Sequence, residues 1–238
     1  MVLWIASAFA AYFVKGVCGF ANTLVLTSIL SFRAVNADIS PIDLLLGYPS
    51  NLILAWRNRR SLDPKVWIPL SLLVLAGSIP GALLLKNAGT GTIRIVFGFV
   101  VIFLGAEMLL REYGHGLSAS KSLLGLIGVL SGVLCGLFGV GALLAAYVSR
   151  ATTDMTGFKA NISTVFIVEN TFRLFLYGAL GLFTTEIFRT FLLLIPFALL
   201  GLFLGIKSSG VLSEKFVRRL TAVLLIVSGI SLVIKNLP

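Results

Sequence analysis

The chain has little charge. Asp, Glu, Lys and Arg make up 12% of its 238 residues, about half the share of a soluble domain. Too little polar surface follows to keep such a chain in water. There is one histidine, His115 in the stretch REYGHG, and two cysteines, Cys18 and Cys135, each inside an apolar run. A lone imidazole without clustered ligands makes no metal site, and the cysteines give neither a disulfide framework nor ligand spacing. No metal or cofactor is expected. Enzyme signatures are missing too: G-x-S-x-G, H-E-x-x-H and the P-loop are absent, and GLFGVG (136–141) follows no strand. The chain does not read as an enzyme. Acidic residues are few, 9 against 19 basic, for a net charge of +10. In a soluble protein that excess would suggest nucleic acid. Here the basic residues sit in short loops such as RNRRSLDPK (57–65), the pattern of positive-inside anchoring, so no nucleic-acid partner is expected. No basic residue precedes the apolar run of MVLWIASAFAAYFVKG, which therefore reads as a retained membrane segment, not a cleaved signal.

What remains is apolar: 58% of the residues are hydrophobic and mean hydropathy is +1.05. Eight hydrophobic runs stand out, at 2–32, 40–56, 66–85, 93–110, 121–149, 158–180, 184–206 and 217–235, each long enough to approach the span of a hydrocarbon core. This predicts an all-α polytopic membrane protein whose surroundings are the lipid bilayer. The connections leave no room for a separate soluble module.

The runs repeat. GVCGFAN (16–22) returns as GLFGVGA (136–142), and PSN (49–51) lies on VEN (168–170). Gly77 and Gly81 match Gly201 and Gly205 at an offset of 124, as Gly105 matches Gly229. Each match alone is a common helix-contact pattern; their shared order indicates duplication. The expectation is two four-segment repeats, 1–115 with its linker and 116–238, in one membrane domain.

Charge orients them. With eight full crossings the loop cations divide almost evenly between the two sides. If the first and fifth segments instead enter and leave on one side, twelve lie on one side and five on the other. The second arrangement satisfies the positive-inside rule, makes the repeats inverted and places both termini outside. About thirty residues exceed one span and fall short of two, which suits half-helices broken or re-entrant near mid-membrane. A tilted helix with an interfacial extension is the alternative.

A break at that depth leaves backbone groups unpaired, which hydrocarbon does not tolerate. Half-helix N-termini suit an anion, and inverted-repeat transporters hold substrates at such paired breaks. The first copy would restart near Phe20, Asn22 and Thr23, able to cap the helix or touch substrate; Cys18 sits beside them. Lys15 is expected to snorkel to an interface or to attract anions toward the break. The sixth segment carries Glu169, Asn170 and Arg173. Glu169 and Arg173 either neutralise each other at i,i+4, or Arg173 serves an anion path while Glu169 tunes it or carries a coupling proton.

GVLSGVLCGLFGVGALL, FVKGVCGFANTLV and VENTFRLFLYGALGLF resemble the signature segments of the sulfite exporter TauE/SafE family, and the resemblance covers essentially the whole chain. It implies transport of a small sulfur-containing anion (sulfite, thiosulfate or an organosulfonate) across a bacterial inner (plasma) membrane. Carried over by motif, Gly16, Gly19, Asn22, Gly136, Gly139 and Gly141 would line the site, with Asn51, Asn170 and Arg173 as secondary candidates. Where relatives show a fuller glycine run, this chain has Ala21-Asn22 and Gly141-Ala142, so its particular anion is open. So are the direction of transport and a homo-oligomeric state. An anion channel of the same architecture and a non-transporting membrane subunit are the alternatives.

Overall fold

A computed structural model describes residues 1–30, 36–87, 142–211 and 213–236. It also describes 95, 98–99, 102–103, 105–106, 109–110, 125, 128–133 and 135. Among the described residues there is no strand, and the chain is all-α. Its helices are α1 (Val2–Cys18), α2 (Asn22–Leu30), α3 (Asn36–Arg57), α4 (Pro64–Asn87), α5 (Ala142–Ala151), α6 (Met155–Ala179), α7 (Thr185–Ser209) and α8 (Glu214–Asn236). The described positions between 95 and 110 and between 125 and 135 are helical as well.

Around an apolar core, several ionisable groups are buried while many large apolar side chains face outward. Lys15, Asn51, Asn161, Glu169 and Arg173 are buried, whereas Leu72, Phe99, Phe103, Phe175, Leu192 and Phe203 are exposed. That is the arrangement a bilayer selects, since ionisable groups at membrane depth face the protein interior. Among the described residues, α7 alone is both long and apolar enough to cross a membrane by those criteria; Val2–Cys18 and Pro64–Pro80 are shorter apolar stretches. The lower hydropathy of α6 has a visible source, because it holds Lys159, Glu169 and Arg173.

Glycines set how the helices meet. A methyl on Gly16 would strike the Leu202 carbonyl and lie 2.9 Å from Gly205 Cα. Gly201 packs in the same way on Phe9 and Phe13, so α1 and α7 run parallel with their backbones in contact. Gly128 meets Leu73 and Gly132 meets Gly77, a second parallel pair. Gly98 lies against Gly229, and Gly105 against Ala222. That register, rising on one helix and falling on the other, is antiparallel.

The ends fix which connections are neighbours. Asn161 accepts from the Asp63 N–H at 3.0 Å and donates to the Ser61 carbonyl at 3.4 Å. The link from α3 to α4 therefore lies on the first turns of α6. Asp154 caps α6, its side chain accepting from the Gly157 N–H. The Thr156 hydroxyl, also bonded to Asp154, holds that carboxyl below the usual carboxylate range.

Candidate functional site

The first apolar run is interrupted after Cys18. Gly19 adopts φ 89°, and its N–H closes α1 onto the Lys15 carbonyl at 2.6 Å. Ala21 follows at φ 73°, a left-handed conformation that costs a side-chain-bearing residue about 1–2 kcal/mol. Then α2 starts at Asn22. Gly16 is not part of this turn. It lies within α1 against α7, and its carbonyl accepts from Lys159 Nζ at 3.1 Å, so a terminal carbonyl of a buried helix end is satisfied by a cation.

The turn aims its polar residues at α3. Asn22 Nδ2 donates to Asp43 Oδ1 at 2.9 Å, and Tyr12 Oη donates to the same oxygen at 3.0 Å. The Thr23 hydroxyl donates to Asp43 Oδ2. Lys15 Nζ donates to Asn22 Oδ1 at 3.1 Å and lies 5.7 Å from the centre of the Tyr12 ring. The expectation that Lys15 snorkels is overturned: it is 1% exposed. Its amine turns inward because the Asn22 amide and the Asp43 charge offer in the interior what a headgroup would offer at the surface.

From the other side α6 supplies Arg173. Its Nη2 donates to Ser40 Oγ at 2.9 Å and to Tyr177 Oη at 2.8 Å, while Nε stands 3.6 Å from Glu169 Oε1. The i,i+4 pair is formed. Between these groups lies a cavity of about 20 Å³, lined by Lys15, Phe20, Asn22, Thr23, Asp43, Asn51, Asn170 and Arg173 among others. Asn51 Oδ1 is buried there with no hydrogen-bond partner among the described residues. An orphaned buried amide oxygen carries a desolvation cost, which a hydrogen-bond donor in the cavity would relieve.

Of the sequence-derived candidates, Phe20, Asn22, Thr23, Asn51, Asn170 and Arg173 thus come together. Gly19 makes the turn, packed on Lys159, and Glu169 stands behind Arg173. Cys18 is buried in an apolar cluster with Phe158 and Leu144, and Gly16 serves a helix contact. Gly136, Gly139 and Gly141 lie outside the described residues. Sequence reading missed Asp43, Tyr12 and Ser40. A carboxylate in DISPIDLLLG was the available signal for the first of these.

Two buried cations, two buried carboxylates and four asparagine or threonine side chains converge on an interrupted helix within an apolar shell. These groups can bind a small charged solute; the acidic and basic pairs also carry hydrogen-bonding partners of their own. No curated protein and no solved structure matches the chain. The model of the family described as Sulfite exporter TauE/SafE does match, over residues 4–232, and the chain belongs to that family.

Proposed function

We propose that this membrane transport protein is a secondary transporter for a small sulfur-containing anion, bound at the interrupted first segment. The family's description names sulfite, and the reading extends to the related anions thiosulfate and organosulfonates. The observation that carries the site is the cavity at the Gly19–Ala21 turn, where Lys15 and Arg173 face one space. Lys15 and Arg173 supply the attraction. Asn170 supplies a neutral amide, while Asn22 and Thr23 donate to Asp43 and so occupy its carboxylate oxygens.

At about 20 Å³ the cavity has room for roughly one water, too little for an oxyanion of four or more heavy atoms. Admission therefore requires the α1–α2 turn to part from α3 and α6. A gated, saturable carrier fits that geometry better than an open channel. We read the repeats as inverted, with the first and fifth segments re-entrant. The antiparallel register of Gly98 with Gly229 supports this, because eight full crossings would make those two helices parallel.

Counterflow in proteoliposomes tests the function. Vesicles loaded with sulfite, thiosulfate, a sulfonate, sulfate or chloride are followed for uptake of labelled sulfite, in wild type and in Asn22→Ala. The expected result is saturable counterflow that discriminates among the oxyanions and shifts in the variant. Flux without counterflow would make the protein a channel, and absence of flux with every anion would end the sulfur-anion reading.

A further inference from the structure

A second, larger cavity lies on the far side of the same turn. It measures about 320 Å³ and is lined by Arg57 and Asn58 at the end of α3, Thr156 and Lys159 at the start of α6, and Ser209 at the end of α7, with apolar walls. Val17 borders this cavity, whereas Phe20 and Ala21 border the small one. Both cavities therefore border the stretch of chain around the turn.

Its charge is of one sign. Arg57 and Lys159 share the wall, and none of the lining residues is acidic. Two cations lining one cleft focus a positive potential into it and raise the local concentration of anions. Lys159 is buried. Two of its three donor protons go to the Gly16 carbonyl and the Ser209 hydroxyl, both at 3.1 Å, which fixes the ammonium at the wall with one donor left for a ligand. Asn58 adds an amide with a second N–H beyond the one given to the Leu54 carbonyl, whereas the Thr156 and Ser209 hydroxyls already donate to Asp154 and to the Ile206 carbonyl. The cavity at Met1, Trp4 and Ile42, about 250 Å³, is different. It is lined by Thr184, Glu186 and Thr190 with apolar side chains, and by no Lys or Arg.

We propose that the Arg57–Lys159 cavity is a second anion-binding site, separate from the central one, which takes a small oxyanion before it reaches the turn. Its use as a loading vestibule rests on the transporter reading; its occupancy does not. The shared chemistry is a compact group with several anionic oxygens, which a free oxyanion or a phospholipid headgroup could supply, and the structure favours the free anion because the two cations and the Asn58 amide line a space of about 320 Å³, suited to a compact ion.

The test is equilibrium binding of radiolabelled thiosulfate to the full chain in nanodiscs of zwitterionic lipid. Wild type, Arg57→Gln, Lys159→Gln, Lys159→Arg and Asn22→Ala are compared. The expected outcome is a site weakened at least about tenfold in both glutamine variants, the loss of a charge-assisted hydrogen bond, restored by Lys159→Arg and retained in Asn22→Ala. Arg57 is exposed at a helix end, so its variant reports on binding even if Lys159→Gln disturbs α1. Unchanged binding in Arg57→Gln would overturn the proposal. So would displacement of the label when phosphatidylglycerol is added to the discs, which would assign the cavity to a headgroup. Loss of counterflow in wild type with this binding intact would sink the transporter reading alone.

Discussion

Asp43 is the residue that most constrains how the central site works. A carboxylate in the space proposed for an anion repels that anion unless its oxygens are already engaged, and here they are: Tyr12, Asn22 and Thr23 all donate to them. The same bonds tie the turn and α1 to α3. Asp43→Ala strips Asn22 and Thr23 of their carboxylate acceptor, leaves Tyr12 only the residue-43 backbone carbonyl, and leaves Lys15 without a nearby counter-charge. Breaking a buried charge network from one side costs about 3–5 kcal/mol. Thermal unfolding in detergent is expected to fall by many degrees in Asp43→Ala and less in Asp43→Asn, which keeps the shape and one acceptor oxygen; equal stability of all three proteins would show that the network carries no load. Part of this site was legible. Asn22 and Thr23 stand next to the glycine motif, and an i,i+4 spacing announces Glu169 with Arg173. Asp43 was hidden because its role depends on α3 lying against the turn, a long-range contact with no local mark. Lys15 misled for the same reason, since a lysine in an apolar run does not say which way its amine points.

For the helices, glycine spacing in the sequence located the right residues but could not separate two uses of glycine. Gly16 and Gly205 let α1 and α7 touch, while Gly19 ends a helix with φ 89°. Only the backbone conformation distinguishes them. Substitution by alanine should therefore fail for different reasons. Gly16→Ala collides with the Leu202 carbonyl, rigid backbone that cannot yield, and overpacking of this kind costs about 1–3 kcal/mol. Gly19→Ala meets left-handed strain of about 1–2 kcal/mol and also presses on Lys159 Cγ at 2.8 Å. Gly178 is helical with nothing within 4 Å of an added methyl, and alanine there should be neutral or stabilising by up to about 1 kcal/mol. Melting temperatures of the three variants should separate Gly178→Ala from the other two. A melting temperature for Gly16→Ala at or above wild type would mean that α1 and α7 are not held at backbone contact.

At the scale of the whole molecule, the question is which connections share a face of the membrane. Eight full crossings place the link from α3 to α4 opposite the link from α5 to α6. Re-entrant first and fifth segments place the two together. Asn161 bonds the first link directly at the base of α6, and the larger cavity gathers Arg57, Met155 and Gly210 from three separate connections around one space. Met1, Ile42 and Thr184 gather around another. Each of these groupings follows from the re-entrant arrangement, and each would need a contact across the full bilayer under eight crossings. Single cysteines at Arg60, Thr153, Gly210 and Thr184, all exposed, carry the test in oriented vesicles with a membrane-impermeant thiol reagent; Cys18 and Cys135 are buried and contribute little background. Arg60→Cys, Thr153→Cys and Gly210→Cys should label from one side and Thr184→Cys from the other. If Arg60→Cys instead labels together with Thr184→Cys, the fifth segment crosses fully, the repeats are not inverted, and the paired half-helices lose their place as the anion site.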